Sequence, residues 1–200
     1  MKTRWIPFFT FLILLFATTN CSSTSSRATT LASKQPKLLE DQGVHLLEQN
    51  QAQESLAFFE KAIKLYPRSN RPALGRTYYH YGLALRKLER KQDAIVAYQK
   101  SIEYDGGKSH TYINLGHLHA SLGDDSAAVA VYEQGIEKFP DELYLIENLA
   151  LSYIRLRKHK KAIPLLSKAV VYRNNHPELK DNELWRKRWV DYLSKEHIDR

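Results

Sequence analysis

Three groups of side chains stand where they could do chemistry. His110 and His117 are seven residues apart, two turns of a helix, with His119 beside them and His80 upstream. Such a cluster could hold a metal through imidazole nitrogens, or offer rings and N–H donors to a bound chain; the second reading is favoured. Asn114 and Asn148 are separated by 34 residues, and each carboxamide carries an acceptor and two donors, enough to pair with both sides of a peptide backbone. The chain's one cysteine, Cys21, follows an apolar run, where acylation of its thiol would attach the protein to lipid.

No catalytic constellation accompanies these groups. The sequence has no glycine-rich phosphate loop, nucleophile elbow, zincin helix or calcium-binding loop. Adjoining Asp124 and Asp125 read first as a helix N-cap. A single cysteine excludes a disulfide framework and Cys-based zinc or iron–sulfur modules. No enzymatic activity, metal or cofactor is therefore expected. Hydrophobic residues at 43% and aromatics at 11% exclude wholesale disorder. A net charge of +8 is basic, but there is no polycationic tail, so nucleic acid is not an expected partner.

Two kinds of element must position these residues. The first is an N-terminal address. Lys2 and Arg4 precede an apolar stretch from Trp5 to Ala17, shorter than the roughly 20 residues that span a bilayer. The pattern fits a secretory signal over 1–20. With Cys21 after it and a Ser/Thr-rich stretch to residue 35, it resembles a bacterial lipoprotein leader, although Thr18 and Asn20 replace the usual lipobox residues. The resemblance implies an acylated (palmitate-bearing) Cys21, a flexible spacer over 21–35, and a location in the bacterial envelope, with Ser22 favouring the outer membrane. Cleavage would remove Lys2 and Arg4 and no acid, lowering +8 to +6.

The second element is a repeat. Segments 36–69, 75–108, 109–142 and 143–176 align at a spacing of 34 residues, with 70–74 inserted. At unit position 8 stand Gly43, Gly82, Gly116 and Ala150; at position 24 stand Phe59, Tyr98, Tyr132 and Leu166. Position 27 holds Ala62, Ser101, Gly135 and Ala169. Small residues recur where helices must touch, and bulky ones where the gap must be filled. The apolar spacing within each unit is helical. This resembles the tetratricopeptide repeat, a helix–turn–helix unit. It implies an all-α fold: a tetratricopeptide-type superhelix (solenoid) of four hairpins. Residues 177–200, with Leu184, Trp185, Trp189, Tyr192 and Leu193 on one stripe, read as a capping helix.

In such a stack the first helix of each hairpin lines a concave groove. The resemblance then assigns partner binding to Arg76, Tyr79, His80, Leu83, Lys87, His110, Asn114, His117, Tyr144, Glu147, Asn148, Leu151 and Arg155. Asn114 and Asn148 resemble two rungs of the asparagine ladder of some peptide-binding repeat proteins. Glu40 and Val44 stand where the family's carboxylate clamp needs Lys and Asn, which argues against a chaperone-tail ligand. The expected function is a non-enzymatic adaptor, lipid-anchored in the envelope, that holds a segment of another envelope protein and aids assembly or stability of a complex. A homodimer through exposed end surfaces is also open. The alternative starts from charge. Residues 155–200 carry 13 basic and 6 acidic side chains, which could meet an anionic polymer or membrane surface.

Overall fold

The computed structural model describes residues 21–104 (side chains from 34 onward), 107–179, Trp189 and Tyr192. The leader 1–20 and most of the expected capping helix, Trp185 included, lie outside these residues. Among the described residues there are eight helices and no strand: α1 (Cys21–Glu48), α2 (Ala52–Leu65), α3 (Arg71–Lys87), α4 (Lys91–Glu103), α5 (Ser109–Ser121), α6 (Asp125–Lys138), α7 (Leu143–Arg155) and α8 (His159–Asn175). None is long and apolar enough to cross a membrane.

The helices pair as four hairpins, and each helix packs on the next in sequence. In addition α1 meets α3 and α5 meets α7, whereas no two even-numbered helices pack to that extent. Two of the three neighbouring odd-numbered pairs thus touch while no even-numbered pair does to that extent, so the stack curves with α1, α3, α5 and α7 on its inner side. The core follows as a seam along the array. Leu47, Leu56, Phe59, Leu85, Tyr98, Leu115 and Leu118 form one stretch of it, and Tyr112, Tyr132, Leu145, Leu149 and Tyr153 continue it. Each hairpin thus buries its apolar face against neighbours rather than within itself.

The small–large columns show how two helices of a hairpin fit. A Cβ added at Gly43 or Gly82 would lie 2.7 Å from the ring of Phe59 or Tyr98, and one at Gly116 would lie closer still to Tyr132. In the fourth hairpin Ala150 occupies this position, and its partner is the smaller Leu166; both are fully buried. At Gly135 an added Cβ would stand 2.9 Å from Tyr112 Cβ and 3.1 Å from Leu145. The four hairpin turns are equally regular. Asn50, Glu89, Gly123 and Arg157 occupy the same unit position and have φ of 62°, 57°, 82° and 57°. Only one is glycine, so Glu89 and Arg157 hold a left-handed conformation at a cost of about 1–2 kcal/mol each. Asp124 caps α6, its side chain accepting from the Ala127 N–H at 2.9 Å.

The segment expected as a flexible spacer, 21–35, is instead the first half of α1. It contains neither Gly nor Pro before Pro36, so nothing in it breaks a helix that is already nucleated by packing. Pro36 removes one intrahelical hydrogen bond where packing on α2 begins, and the helix tolerates that loss. At the far end, Trp189 buries against Ala150 and Leu166, and Tyr192 packs beside it.

The packing at positions 8 and 24 predicts a compensating pair. Gly116→Ala should destabilise the protein by about 1–3 kcal/mol through overpacking. Adding Tyr132→Leu, which copies the Ala150–Leu166 pairing, should recover part of that loss. Urea unfolding of the four chains of this double-mutant cycle checks it; additive losses would refute the shared contact.

Candidate functional site

The inner wall is built from the four odd-numbered helices, and its richest part lies between α5 and α7. There a cavity of about 340 Å³ is lined by His117, Ala120, Ser121, Tyr132, Asn148, Leu151, Ser152 and Arg155. That volume lies at the lower end of the 300–1,000 Å³ range of ligand clefts. Ala120, Leu151 and the Tyr132 ring supply apolar surface, and the others supply donors and acceptors. Tyr132 is buried, yet it reaches the cavity because Gly116 leaves its ring room to lie against α5.

The polar wall of the cavity is pre-ordered. His117 Nε2 lies 2.9 Å from Asn148 Oδ1, and Asn148 Nδ2 donates to the Tyr144 carbonyl at 2.6 Å. With its amide nitrogen turned to Tyr144, Asn148 presents oxygen to His117. The imidazole therefore donates through Nε2–H, and its Nδ1 remains an acceptor when the ring is neutral. His117 also meets Tyr132 edge to face at 6.4 Å between centroids. Arg155 pairs with Asp125 at 3.3 Å through one nitrogen while its side chain stays 54% exposed. Arg155 thus remains a cation at the rim of the cavity.

Among the residues predicted to bind a partner, His110, His117, Tyr144 and Arg155 are exposed, and Tyr79, His80, Leu83, Asn114, Asn148 and Leu151 are half-buried. Three others make contacts within the protein. Glu147 turns inward: it is 7% exposed and accepts from Arg173 Nε and Nη2 at 2.5 and 3.0 Å. Arg76 makes the matching two-pronged contact with buried Glu40, at 2.6 and 2.9 Å, and Tyr66 donates to the same carboxylate at 2.8 Å. Lys87 caps the end of α1, donating to the Leu47 carbonyl and to Asn50 Oδ1. Nor are the two expected asparagine rungs equivalent, since only Asn148 is held by a histidine and its own helix.

The two buried glutamates follow one rule. Glu40 and Glu147 share unit position 5, and each meets a donor at position 31 of its own hairpin, Tyr66 or Arg173. For Glu147 and Arg173, both buried, removing one partner typically costs about 3–5 kcal/mol, because the other charge is stranded. Burial alone would raise the Glu40 carboxyl, but hydrogen bonds from Arg76 and Tyr66 outweigh it and hold the group below its ordinary range.

Upstream, between α3 and α5, the wall is aromatic. His80 stacks over Phe59 and meets Tyr79 edge to face, with centroids 6.1 and 5.3 Å away. Burial pushes the His80 imidazole down from its ordinary value. It also pushes the Tyr79 phenol up, partly offset by the Arg86 charge and the Asn114 carboxamide. His80 is thus engaged with rings rather than with the other histidines. Among the described residues no group of three or more His, Cys, Asp or Glu is arranged for a metal ion.

A curved pile of helical hairpins with a polar–apolar inner wall defines an α-helical repeat protein. Sequence models of the tetratricopeptide repeat match residues 35–106 and 109–141, together more than half of the chain, which belongs to the tetratricopeptide-repeat family. Among curated proteins, tetratricopeptide repeat-containing protein trd-1 of Caenorhabditis elegans is 29% identical over 128 residues, 64% of this chain. This chain spans 16% of that protein's length. The fold is similar to the crystal structure of MamA, with a TM-score of 0.64 and 19% identity, covering 77% of this chain and 87% of that one. It is also similar to YrrB, described as a TPR protein with an unusual peptide-binding site, with a TM-score of 0.62 and 15% identity over 86% and 83% of the two chains. At these identities the structures establish the fold alone. Tetratricopeptide repeats mediate protein–protein interaction, and the fold is typically that of a non-catalytic adaptor.

His80 gives this wall a pH response. Its folded pKa lies below the ordinary 6.5, so the unfolded chain takes up a proton first as pH falls. Stability contributed by neutral His80 is complete above 6.5 and is lost as pH drops through the folded pKa. Relative to His80→Phe, the wild-type urea midpoint should fall as the solution is acidified from neutrality; parallel midpoints in the two chains would refute this.

Proposed function

We propose that the chain is a non-enzymatic adaptor, and that its inner wall holds an extended segment of another protein with one side chain in the cavity between α5 and α7. The observation that carries this reading is the cavity itself: apolar Ala120, Leu151 and Tyr132 beside an ordered His117–Asn148 pair and a rim arginine. His117 Nδ1 and the second Asn148 N–H are suited to a peptide backbone, and Arg155 to a carboxylate or carbonyl. Tyr79, Leu83 and Asn114 extend the same wall toward the first hairpins.

The proposal includes the setting. The leader pattern and the sole cysteine at its end support export, acylation at Cys21 and anchoring in a bacterial envelope, at the outer membrane in preference to the inner. The partner is then another envelope protein, and the role is assembly or stability of a complex containing it. Anchoring would raise the local concentration of both at the membrane.

Two experiments test these statements. A photo-crosslinking amino acid at Leu151 should trap a discrete partner in living cells, while the same group at Ala130, exposed on α6, should not. Asn114→Ala with Asn148→Ala should weaken capture about tenfold, at roughly 0.5–1.5 kcal/mol per hydrogen bond. Trapping from Ala130 alone would reject the groove. Separately, metabolic labelling with a fatty-acid analogue should mark the wild type and spare Cys21→Ala; equal labelling would reject acylation there.

A further inference from the structure

Residues 148–177 contain no aspartate or glutamate, yet they carry seven basic side chains. Three of these have an acidic neighbour within the fold: Arg155 beside Asp125, Lys168 beside Asp141 and Arg173 beside Glu147. The other four, Arg157, Lys158, Lys160 and Lys161, are exposed and crowd the turn into α8. Among the described residues none of the four has a carboxylate within 4.0 Å; Lys161 instead lies over the Tyr153 ring at 5.3 Å.

The fold gives up stability to keep these charges. The second helices of the first three hairpins each place an acid in their first turn, Glu54, Asp93 and Asp125, where it complements the helix dipole. α8 has none and begins with His159, Lys160 and Lys161. Arg157 also holds the left-handed turn position that glycine occupies in the third hairpin.

Along the outer face of α8 the cations give way to apolar side chains. Lys161, Pro164, Lys168, Val171 and Tyr172 lie on one stripe by helical spacing, and all are exposed, Val171 by 59% and Tyr172 by 39%. The stripe is about 17 Å long at 1.5 Å per residue. It lies on the outer side of the stack, away from the cavity. Lysines beside an exposed aliphatic group and a tyrosine match the chemistry of a helix lying in a lipid headgroup layer.

We infer that the turn at Arg157–Lys161 and the outer face of α8 dock on an anionic phospholipid surface. The lysines meet phosphate groups, and Val171 and Tyr172 enter the headgroup layer. The inner wall then faces away from the lipid and stays open to a partner. This inference is independent of both the groove and the acylation of Cys21.

The test is vesicle co-sedimentation of the full chain at low salt. Phosphatidylcholine vesicles are compared with vesicles containing about 30% phosphatidylglycerol, an anionic lipid. Wild type should partition preferentially onto the anionic vesicles, and raising salt should remove the preference. Each basic side chain at such a surface multiplies partitioning about fivefold, so Lys158→Gln, Lys160→Gln and Lys161→Gln together should lower it about a hundredfold. A control with Lys61→Gln, Lys64→Gln and Lys138→Gln changes net charge equally at exposed sites elsewhere and should bind as wild type does. All chains carry the same N-terminus, so adsorption through it is common to them, and circular dichroism verifies that each is folded. Equal wild-type partitioning on both vesicle types would overturn the inference and leave the patch to an acidic protein. Equal losses in the two variants would overturn it by reducing the effect to net charge.

Discussion

Everything in this molecule depends on how closely two helices of a hairpin can approach. Where Gly43, Gly82 and Gly116 face Phe59, Tyr98 and Tyr132, a single added carbon would collide with a ring. The ring edge lies where a Cβ would otherwise stand, which sets the distance and crossing of the two helices. Repetition of that contact makes the hairpins alike, and alike hairpins stack into an array. The curvature follows from contacts on the inner side that the outer side lacks, and with it the wall on which a partner can lie. The cavity is a direct product: the Tyr132 ring that locks the third hairpin also forms part of the cavity lining.

A stack built from one repeated contact needs other interactions to secure its ends. The first and fourth hairpins carry the Glu40 and Glu147 pairs, and the last also receives Trp189. The two pairs differ in setting. Glu147 and Arg173 are both buried, whereas Arg76 keeps 44% of its side chain exposed and joins the first hairpin to the second. The middle hairpins instead have Tyr79 and Ile113 at position 5, where aromatic and aliphatic packing replaces charge.

The fold was legible because steric complementarity leaves a columnar trace: a small residue at position 8, a bulky one at 24 and another small one at 27. Charge pairing leaves a weaker trace. Glu40 and Arg76 are 36 residues apart and Glu147 and Arg173 are 26 apart, at unequal unit positions, so Glu147 looked like a wall residue. Comparing positions 5 and 31 within each hairpin could have found Glu147 with Arg173 and Glu40 with Tyr66, but not Arg76, which reaches Glu40 from the next hairpin. Asn148 and Asn114 were read as equivalent rungs, but Asn148 engages His117 of the preceding repeat where Asn114 engages Tyr79. Tyr132 was read as filler alone, since only the local geometry shows that its ring also borders a cavity. The stretch 22–35 misled by composition: Ser and Thr suit a spacer, but with no breaker among them they continue a helix that packing has begun.

The central claim is that the inner wall, not the outer helices, receives the partner. Hydrogen exchange on the chain, alone and with the protein trapped from Leu151, measures this most directly. The account predicts slowed exchange in α5 and α7, with α6 and α8 unchanged. Slowing confined to α6 and α8, with the inner helices exchanging as in the free chain, would contradict it.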